Sequence, residues 1–480
     1  MQPKLELLQL ELIERVLDEA FQLIREPGVK VQAPEARDLL AARGARVDGD
    51  VARIPESLAR QALESVPHEF FLHDRAGTPA VRYGGDAVHF DPGSSGVQVL
   101  DPDTLEHKTS LAGDLVRLIQ VAEMLPQYAA QSTAVVCGDV PKDIGDLYRL
   151  FLVLLYSDKP IVTGSFSTRT TQVMIDLLAI DAGGYAALQA KPRAVFDVCP
   201  SPPLNWSAFA AQTLIDLARA GAPAEIVSMP LAGGAAPVTL IGSVVQHAAE
   251  CLSGITLHQL AQPGAPIVWG GAPAIFDMRA ASTPMGAIET AMIDAAYAQI
   301  GKHLGLPTHG YLGASDAKLV DAQAGLESGV SAIIGALAGI NMISGAGMLD
   351  FLLCQSAEKL VIDAEAIAMA QRLQRGVEVR TDTLATGMFA QAGLAGEFLK
   401  LQDTRRLFRD EQHLPSKVID RVSRRQWQDA GSLDTFARAK LRVRELLGAY
   451  RQPPVPAGRE LRERVAHEAK RAGLDRLPAV

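Results

Sequence analysis

Runs of buried-type residues recur through the middle of this chain at intervals of roughly thirty to forty residues, and that rhythm restricts the possible folds more than any other feature. They are Ser132–Cys137, Pro160–Phe166, Arg193–Cys199, Glu225–Pro230, Pro266–Trp269, Thr308–Leu312 and Ile340–Ser344. Helix-period segments separate them, such as Ile144–Tyr156, Ala208–Ala220, Ile241–Ala261 and Ala287–Leu304. Parallel strands need a crossover of this length, so the alternation predicts repeated βα units. An eighth strand, Ala87–Phe90 or a segment near Val97, completes an α/β fold of the TIM (β/α)8 barrel type. An open doubly wound sheet competes with it. No G-x-G-x-x-G follows any strand, and the glycines cluster after the later ones, so the barrel is favoured.

The flanks differ from the core. Residues 1–112 read as helices followed by period-two stretches, EFFLHD, AVRYGG, AVHFDPGSSG and VQVLDPDT, which predict a small antiparallel meander. Residues 113–375 form the catalytic core, and 376–480 a C-terminal helical region whose tail, from Pro453, is expected to wrap a neighbouring subunit of a homo-oligomer. A net charge of −9 with no basic run excludes nucleic acid as the main partner. The longest apolar run, Ala332–Ile343, is broken by glycines and too short to span a membrane. The N-terminal segment has no uninterrupted apolar stretch of the signal-peptide kind. Four dispersed cysteines form no CxxC pair and suit a reducing compartment, so the chain is expected in the cytoplasm.

In a βα-barrel the ligand lies at the C-terminal ends of the strands. Here those ends are rich in glycine and small residues. They carry no His/Asp/Glu cluster at metal-ligand spacing, no Schiff-base lysine and no G-x-S-x-G elbow. What remains is a wide, rather apolar mouth that a large flat cofactor can approach. Gly233-Gly234 and Gly270-Gly271 suit a phosphate cradle, although tight turns are the commoner use of such pairs. His309 and Tyr311 stand where a substrate carboxylate or hydroxyl would be held, and a structural role for His309 is equally open. Asp316 is either a helix N-cap, in rivalry with Ser315, or an anionic partner for a cationic substrate. Trp269, Phe276, Tyr311 and Phe351 are the aromatics nearest the mouth; an onium ion favours such faces, and core packing is their default use. Cys137 and Cys199 end strands and read as inert thiols.

Several stretches together resemble one family. They are Ser315-Asp316-Ala317-Lys318, DAQAGLESG from Asp321 to Gly329, GAGMLDF from Gly345 to Phe351, and EKLVIDAE from Glu358 to Glu365. GSFS from Gly164 to Ser167 and GGAAPVTL from Gly233 to Leu240 fit the same pattern. Each motif is short, but their order and spacing resemble the trimethylamine methyltransferase family from the N-terminal helices to about Tyr450. The resemblance implies a βα-barrel that moves a methyl group from an amine to the Co(I) of a corrinoid (cobalamin) carried by a separate partner protein, with no cofactor bound tightly to the chain itself.

The family's archetype carries pyrrolysine near the end of the barrel, and this chain has none. Its counterpart is expected between Met348 and Ser356, at Leu353, Cys354 or Gln355. The resemblance then implies a quaternary amine, such as glycine betaine, proline betaine or carnitine. A quaternary nitrogen already carries the charge that makes a neutral amine leave. The step thus requires positioning and a desolvated pocket rather than an acid, a base or a bound metal. On this basis Tyr311, Phe351 and Trp269 are assigned to the ammonium, His309 or Ser344 to a substrate carboxylate, and Gly345, Asp316, Leu353 and Cys354 to the wall. Ser94 and Ser95, in the DPGSSG turn, take the place of a ligand-facing residue of the relatives. The glycine pairs Gly233-Gly234 and Gly270-Gly271 are assigned to the corrinoid side. Two other readings stand beside this one: a betaine-binding barrel that transfers nothing, and an aldolase- or lyase-like barrel.

Overall fold

The computed structural model describes residues 3–478. Eight parallel strands make its centre: β1 (His89–Pro92), β2 (Gln131–Ser132), β3 (Ile161–Gly164), β4 (Ala194–Val198), β5 (Ala224–Ile226), β6 (Ile267–Val268), β7 (His309–Gly310) and β8 (Met342–Ala346). A helix follows each: α1 (Ala112–Glu123), α2 (Gly145–Tyr156), α3 (Thr168–Ala182), α4 (Ala208–Ala220), α5 (Leu240–Ala261), α6 (Ile288–His303), α7 (Ala322–Leu337) and α8 (Ala357–Gln374). Strands β2 to β6 form one sheet in sequence order, and β7, β8 and β1 form a second. The two sheets touch at both edges. Trp269 bridges to Thr308 beyond β6, and Ala129 N donates to Phe90 O at 2.9 Å between β1 and β2. This is an α/β fold, with helices over the outer sheet faces.

Strand parity sorts every side chain. Val162, Val195, Val268 and Met342 meet one another inside the sheets, whereas Phe196, Ile267, Trp269 and Ile343 belong to the layer between strands and helices. The helices start where polar side chains cap them. Ser207 accepts from Ala210 N, Thr239 from Gly242 N, Asp321 from Gln323 N and Ala324 N, and Ser356 from Lys359 N. Helix α5 is long and apolar enough to cross a bilayer, but most of it is buried inside the protein.

The expected meander is not formed. Phe70–His73 and Pro79–Tyr83 pair as a hairpin, and their Leu72, Val81 and Tyr83 close the end of the sheets where Val162 and Val195 meet. The third stretch supplies β1, which pairs in parallel with β8, so the central sheets begin before residue 113. Gln98–Leu100 pairs antiparallel with His107–Thr109 and parallel with Cys354–Gln355. Period-two patterning marked strands correctly but carried no information about their partners. The tail also differs from its expectation: helix Gly458–Arg471 folds back on its own chain. Its Leu461 and Val465 enter the main core, and the buried Glu468 pairs with Arg169 of α3 at 2.6 Å.

Candidate active site

Above the apolar floor, the interior becomes polar. Asp91 of β1, Asp197 of β4, Glu225 of β5, His309 of β7 and Ser344 of β8 all project there, because each shares parity with an inward neighbour on its strand or its pair. His309 Nε2 lies 3.1 Å from Ser344 Oγ, and Ser344 Oγ donates to Asp91 Oδ1 at 2.5 Å. On the other side of the imidazole, Nδ1 is 3.1 Å from Glu225 Oε1. Tyr83 Oη donates to Glu225 Oε2 at 3.1 Å, so the hairpin that closes the floor also holds this acid. The hydrogen-bond network assigns the proton of His309 to Nε2, with Ser344 Oγ as its acceptor. Tyr311 Oη donates to Asp197 Oδ2 at 3.1 Å and sits 3.4 Å from Ser94 Oγ.

Burial sets the charges. It raises Glu225 and Asp91 well above the ordinary carboxylate range, Glu225 further through the negative charge of Asp197. It lifts Asp197 to about 6, against the opposing hydrogen bond of Tyr311 and the charge of Arg149. It lowers His309 to about 3, so the imidazole is neutral. Asp197, at about 6, is thus mostly ionised near neutral pH, while burial pushes Glu225 and Asp91 toward their neutral forms. Asp197 and Cys199 are enclosed by protein atoms yet accessible to solvent, as side chains on the wall of a concave mouth are. Burial pushes the Cys199 thiol up to about 12, which keeps it from acting as a thiolate.

Arg149 reaches the same region from α2. It is fully buried, donates through Nη1 to Thr133 O at 3.0 Å and Ser95 Oγ at 3.1 Å, and lies under the Phe166 ring, 4.7 Å from its centroid. The mouth above is lined by an apolar cluster of Val227, Ala272, Ala274, Met285 and Tyr311, with Leu231 and Leu352 against it. Leu352 gets there through an unusual backbone: Asp350, Phe351 and Leu352 have φ of +50°, +57° and +66°. Three successive L-residues in that region store strain of roughly 1–3 kcal/mol each. Behind them, Gly345 is required by close approach, since a Cβ there would lie 2.5 Å from Leu312 O.

The structure brings Ser94, His309, Tyr311 and Ser344 together around the three acids and places Ser95 on Arg149. It separates the other candidates. Trp269 follows the inward Val268, so parity turns it outward; its Nε1 donates to Tyr297 O at 3.0 Å within the core. Phe351 and Asp316 line a different cavity of about 400 Å³, with Asp277, Lys318 and Glu327. The face of Phe351 is already taken by Lys318 Nζ, 4.0 Å from the centroid. Asp316 caps no helix: its carboxylate accepts from Met285 N and Gly286 N, and Asp321 caps α7 instead. Leu353 is exposed, and Cys354 is buried against Leu100, Ala317 and Leu349. Leu352, not Leu353, Cys354 or Gln355, is the residue of this turn that meets the mouth cluster.

The glycine pairs serve turns and close packing. Gly233 N and Gly234 N are bonded within their own turn, to Ala236 O and Leu231 O. A Cβ on Gly270 would meet Ile226 O at 2.7 Å, and one on Gly271 would meet His247 Nε2 at 2.6 Å. These glycines admit neighbouring groups of the core. Sequence reasoning missed Asp91, Asp197, Glu225 and Arg149, although a signal was present. Each acid interrupts an apolar strand at an inward position, and GDLYRLFLVLLY is an otherwise apolar helix with one arginine inside it.

Comparison with known proteins agrees with this architecture. The family model for trimethylamine methyltransferase matches residues 1–473. A trimethylamine methyltransferase of Methanosarcina thermophila is 32% identical over 91% of this chain and 92% of its own length. A glycine betaine methyltransferase of Desulfitobacterium hafniense is 28% identical over 94% of each chain. Among solved structures, the monomethylamine methyltransferase of Methanosarcina barkeri superposes with a TM-score of 0.54 over 96% of this chain and 87% of that one; at 13% identity it shows a shared fold. The chain belongs to the trimethylamine methyltransferase family.

Proposed function

We propose that this protein, in the cytoplasm, transfers a methyl group from a quaternary ammonium substrate to the corrinoid of a separate partner protein, with its eight strands acting as one closed (β/α)8 barrel. The core of that barrel runs from His89 to Gln374, flanked by the N-terminal and C-terminal helices. One observation carries the reading. The carboxyls of Asp91, Asp197 and Glu225 meet in one polar layer where burial raises all three; Asp197 and Glu225 share a hydrogen bond, and Asp91 Oδ2 has no partner among the described residues. Three buried carboxyls held so close together are costly to ionise, and a cation entering among them offsets that cost.

Magnitudes favour the carboxylates over the aromatic faces first assigned to the ammonium. An ion pair at 4 Å gains about 4 kcal/mol at an effective dielectric of 20. A ring face supplies about 2 kcal/mol when desolvated. Asp197 is thus the principal counter-charge, with Asp91 and Glu225 able to release protons when the cation enters. Tyr311 and Ser94 hold the Asp197 carboxylate in place. The cluster of Val227, Ala272, Met285 and Leu352 excludes water from the methyl groups, and no proton has to move for the amine to leave neutral.

The rim suits a flat, apolar group. Phe166, Met229, Val238, Met278 and Leu353 are exposed on loops that follow the central strands. These side chains would hold the corrinoid; once bound, it supplies the nucleophilic cobalt that takes the methyl group. The test is methyl transfer from a panel of glycine betaine, proline betaine, carnitine and tetramethylammonium to reduced cobalamin or the cognate corrinoid protein, followed by absorbance. Silence across the panel with a competent acceptor overturns the proposal.

A further inference from the structure

We propose that Arg149 is the carboxylate anchor of the site, the residue that distinguishes a betaine from a quaternary amine lacking a carboxylate. The inference rests on the proposed function and adds the half of the substrate that the acids cannot recognise. Arg149 is fully buried and makes no ion pair among the described residues. Its Nε and Nη2 are buried without any hydrogen-bond partner, while Nη1 is held by Thr133 O and Ser95 Oγ. Two neighbouring donors left on one edge of a guanidinium match the two oxygens of a carboxylate.

Position supports the same reading. Arg149 is tethered at the ends of β1 and β2; the buried Asp146, one turn earlier on α2, is the carboxylate whose charge acts on it most, and Asp197, at the end of β4, lies within electrostatic range of it but not paired with it. Gly164, the register partner of Asp197, contributes no side chain between β3 and β4. The ring over the guanidinium belongs to Phe166, half exposed on the loop after β3, so the guanidinium lies one side chain below the mouth. A plain trimethylamine or tetramethylammonium would leave the guanidinium with its donors unused.

The experiment is calorimetric binding of glycine betaine and of tetramethylammonium to the full-length protein and to Arg149→Gln and Arg149→Lys, with melting curves to establish that each is folded. The expected result is at least a thirtyfold loss of betaine affinity in R149Q and a smaller loss in R149K, with tetramethylammonium affinity within twofold of wild type. Equal losses for both ligands, or no loss of betaine affinity, overturn the anchor. If R149Q does not fold, the ratio of the two affinities in R149K decides alone, and an unchanged ratio overturns it. Betaine binding without methyl transfer in the wild type refutes the proposed function but leaves the anchor standing; binding of neither ligand refutes both.

Discussion

His309 Nδ1 faces Glu225 Oε1 across 3.1 Å, and both residues are fully buried. At that distance an exposed pair would be an imidazolium and a carboxylate. Here burial drives both groups toward neutrality, His309 down to about 3 and Glu225 up. The pair is thus pushed away from its charged form, with the glutamic acid held by Tyr83 and Asp197.

Replacing that acid tests its part in recognition. Glu225→Gln keeps the size and an acceptor for Tyr83 but cannot ionise. The expected outcome is a loss of substrate affinity of about ten- to hundredfold, corresponding to roughly 1–3 kcal/mol for one hydrogen-bonded charge. Steady-state KM for the methyl donor checks it, and the change should fall on KM more than on kcat.

Asp197 makes binding pH-dependent. Its carboxyl is lifted to about 6, and a quaternary cation pairs with the ionised form. Affinity is therefore full above about pH 6 and falls about tenfold per unit below it. The same shift opposes folding. The folded state holds the proton more tightly than the unfolded state, so stability is lost as pH rises from the ordinary aspartate range through 6. Asp197→Asn should therefore melt higher than wild type at pH 7.5, match it near pH 3.5, and bind the donor poorly at both.

Trp269 provides the contrast. Trp269→Phe removes the bond to Tyr297 O, worth about 1 kcal/mol, and leaves part of a cavity in the core. The expected result is a lower urea midpoint with donor KM unchanged. A rise in KM comparable to that of E225Q would return Trp269 to the site.

Gly345→Ala should be more damaging than its size suggests. The added carbon would sit 2.5 Å from Leu312 O, a backbone atom that cannot swing aside. Overpacking of this kind costs about 1–3 kcal/mol, and the shift would move the turn that carries Leu352. Chemical denaturation measures the first effect and kcat the second.

The buried Lys359 tests what holds that turn. Its Nζ lies 2.6 Å from Asp363 Oδ2 and from Ser328 Oγ, while Asp363 Oδ2 accepts from Gly347 N at 2.7 Å. Lys359→Met leaves Asp363 buried without its partner, which costs about 3–5 kcal/mol. A drop of that size in unfolding free energy is expected, and the double variant with Asp363→Leu should recover much of it.

The rhythm of strands and helices was legible in the chain because apolar periodicity is local. All seven expected runs overlap central strands, some only at an edge, as Ser132–Cys137 does with Gln131–Ser132, and the Ala87–Phe90 candidate for the eighth overlaps His89–Pro92. The glycines at Gly345 and Gly347 and the family motifs were equally readable. Partnership was not, because a period of two says which residues share a face and not which strand lies beside it. The stretch around Asp91 therefore read both as meander and as a candidate eighth strand, and only its pairing with Met342–Ala346 placed the acid beside Ser344. Parity alone turned Trp269 away and His309 inward. The charge states of Asp197, Glu225 and His309, and the two unused donors of Arg149, exist only where distant segments meet and exclude water. Desolvation belongs to the assembled interior, and no single segment of sequence encodes it.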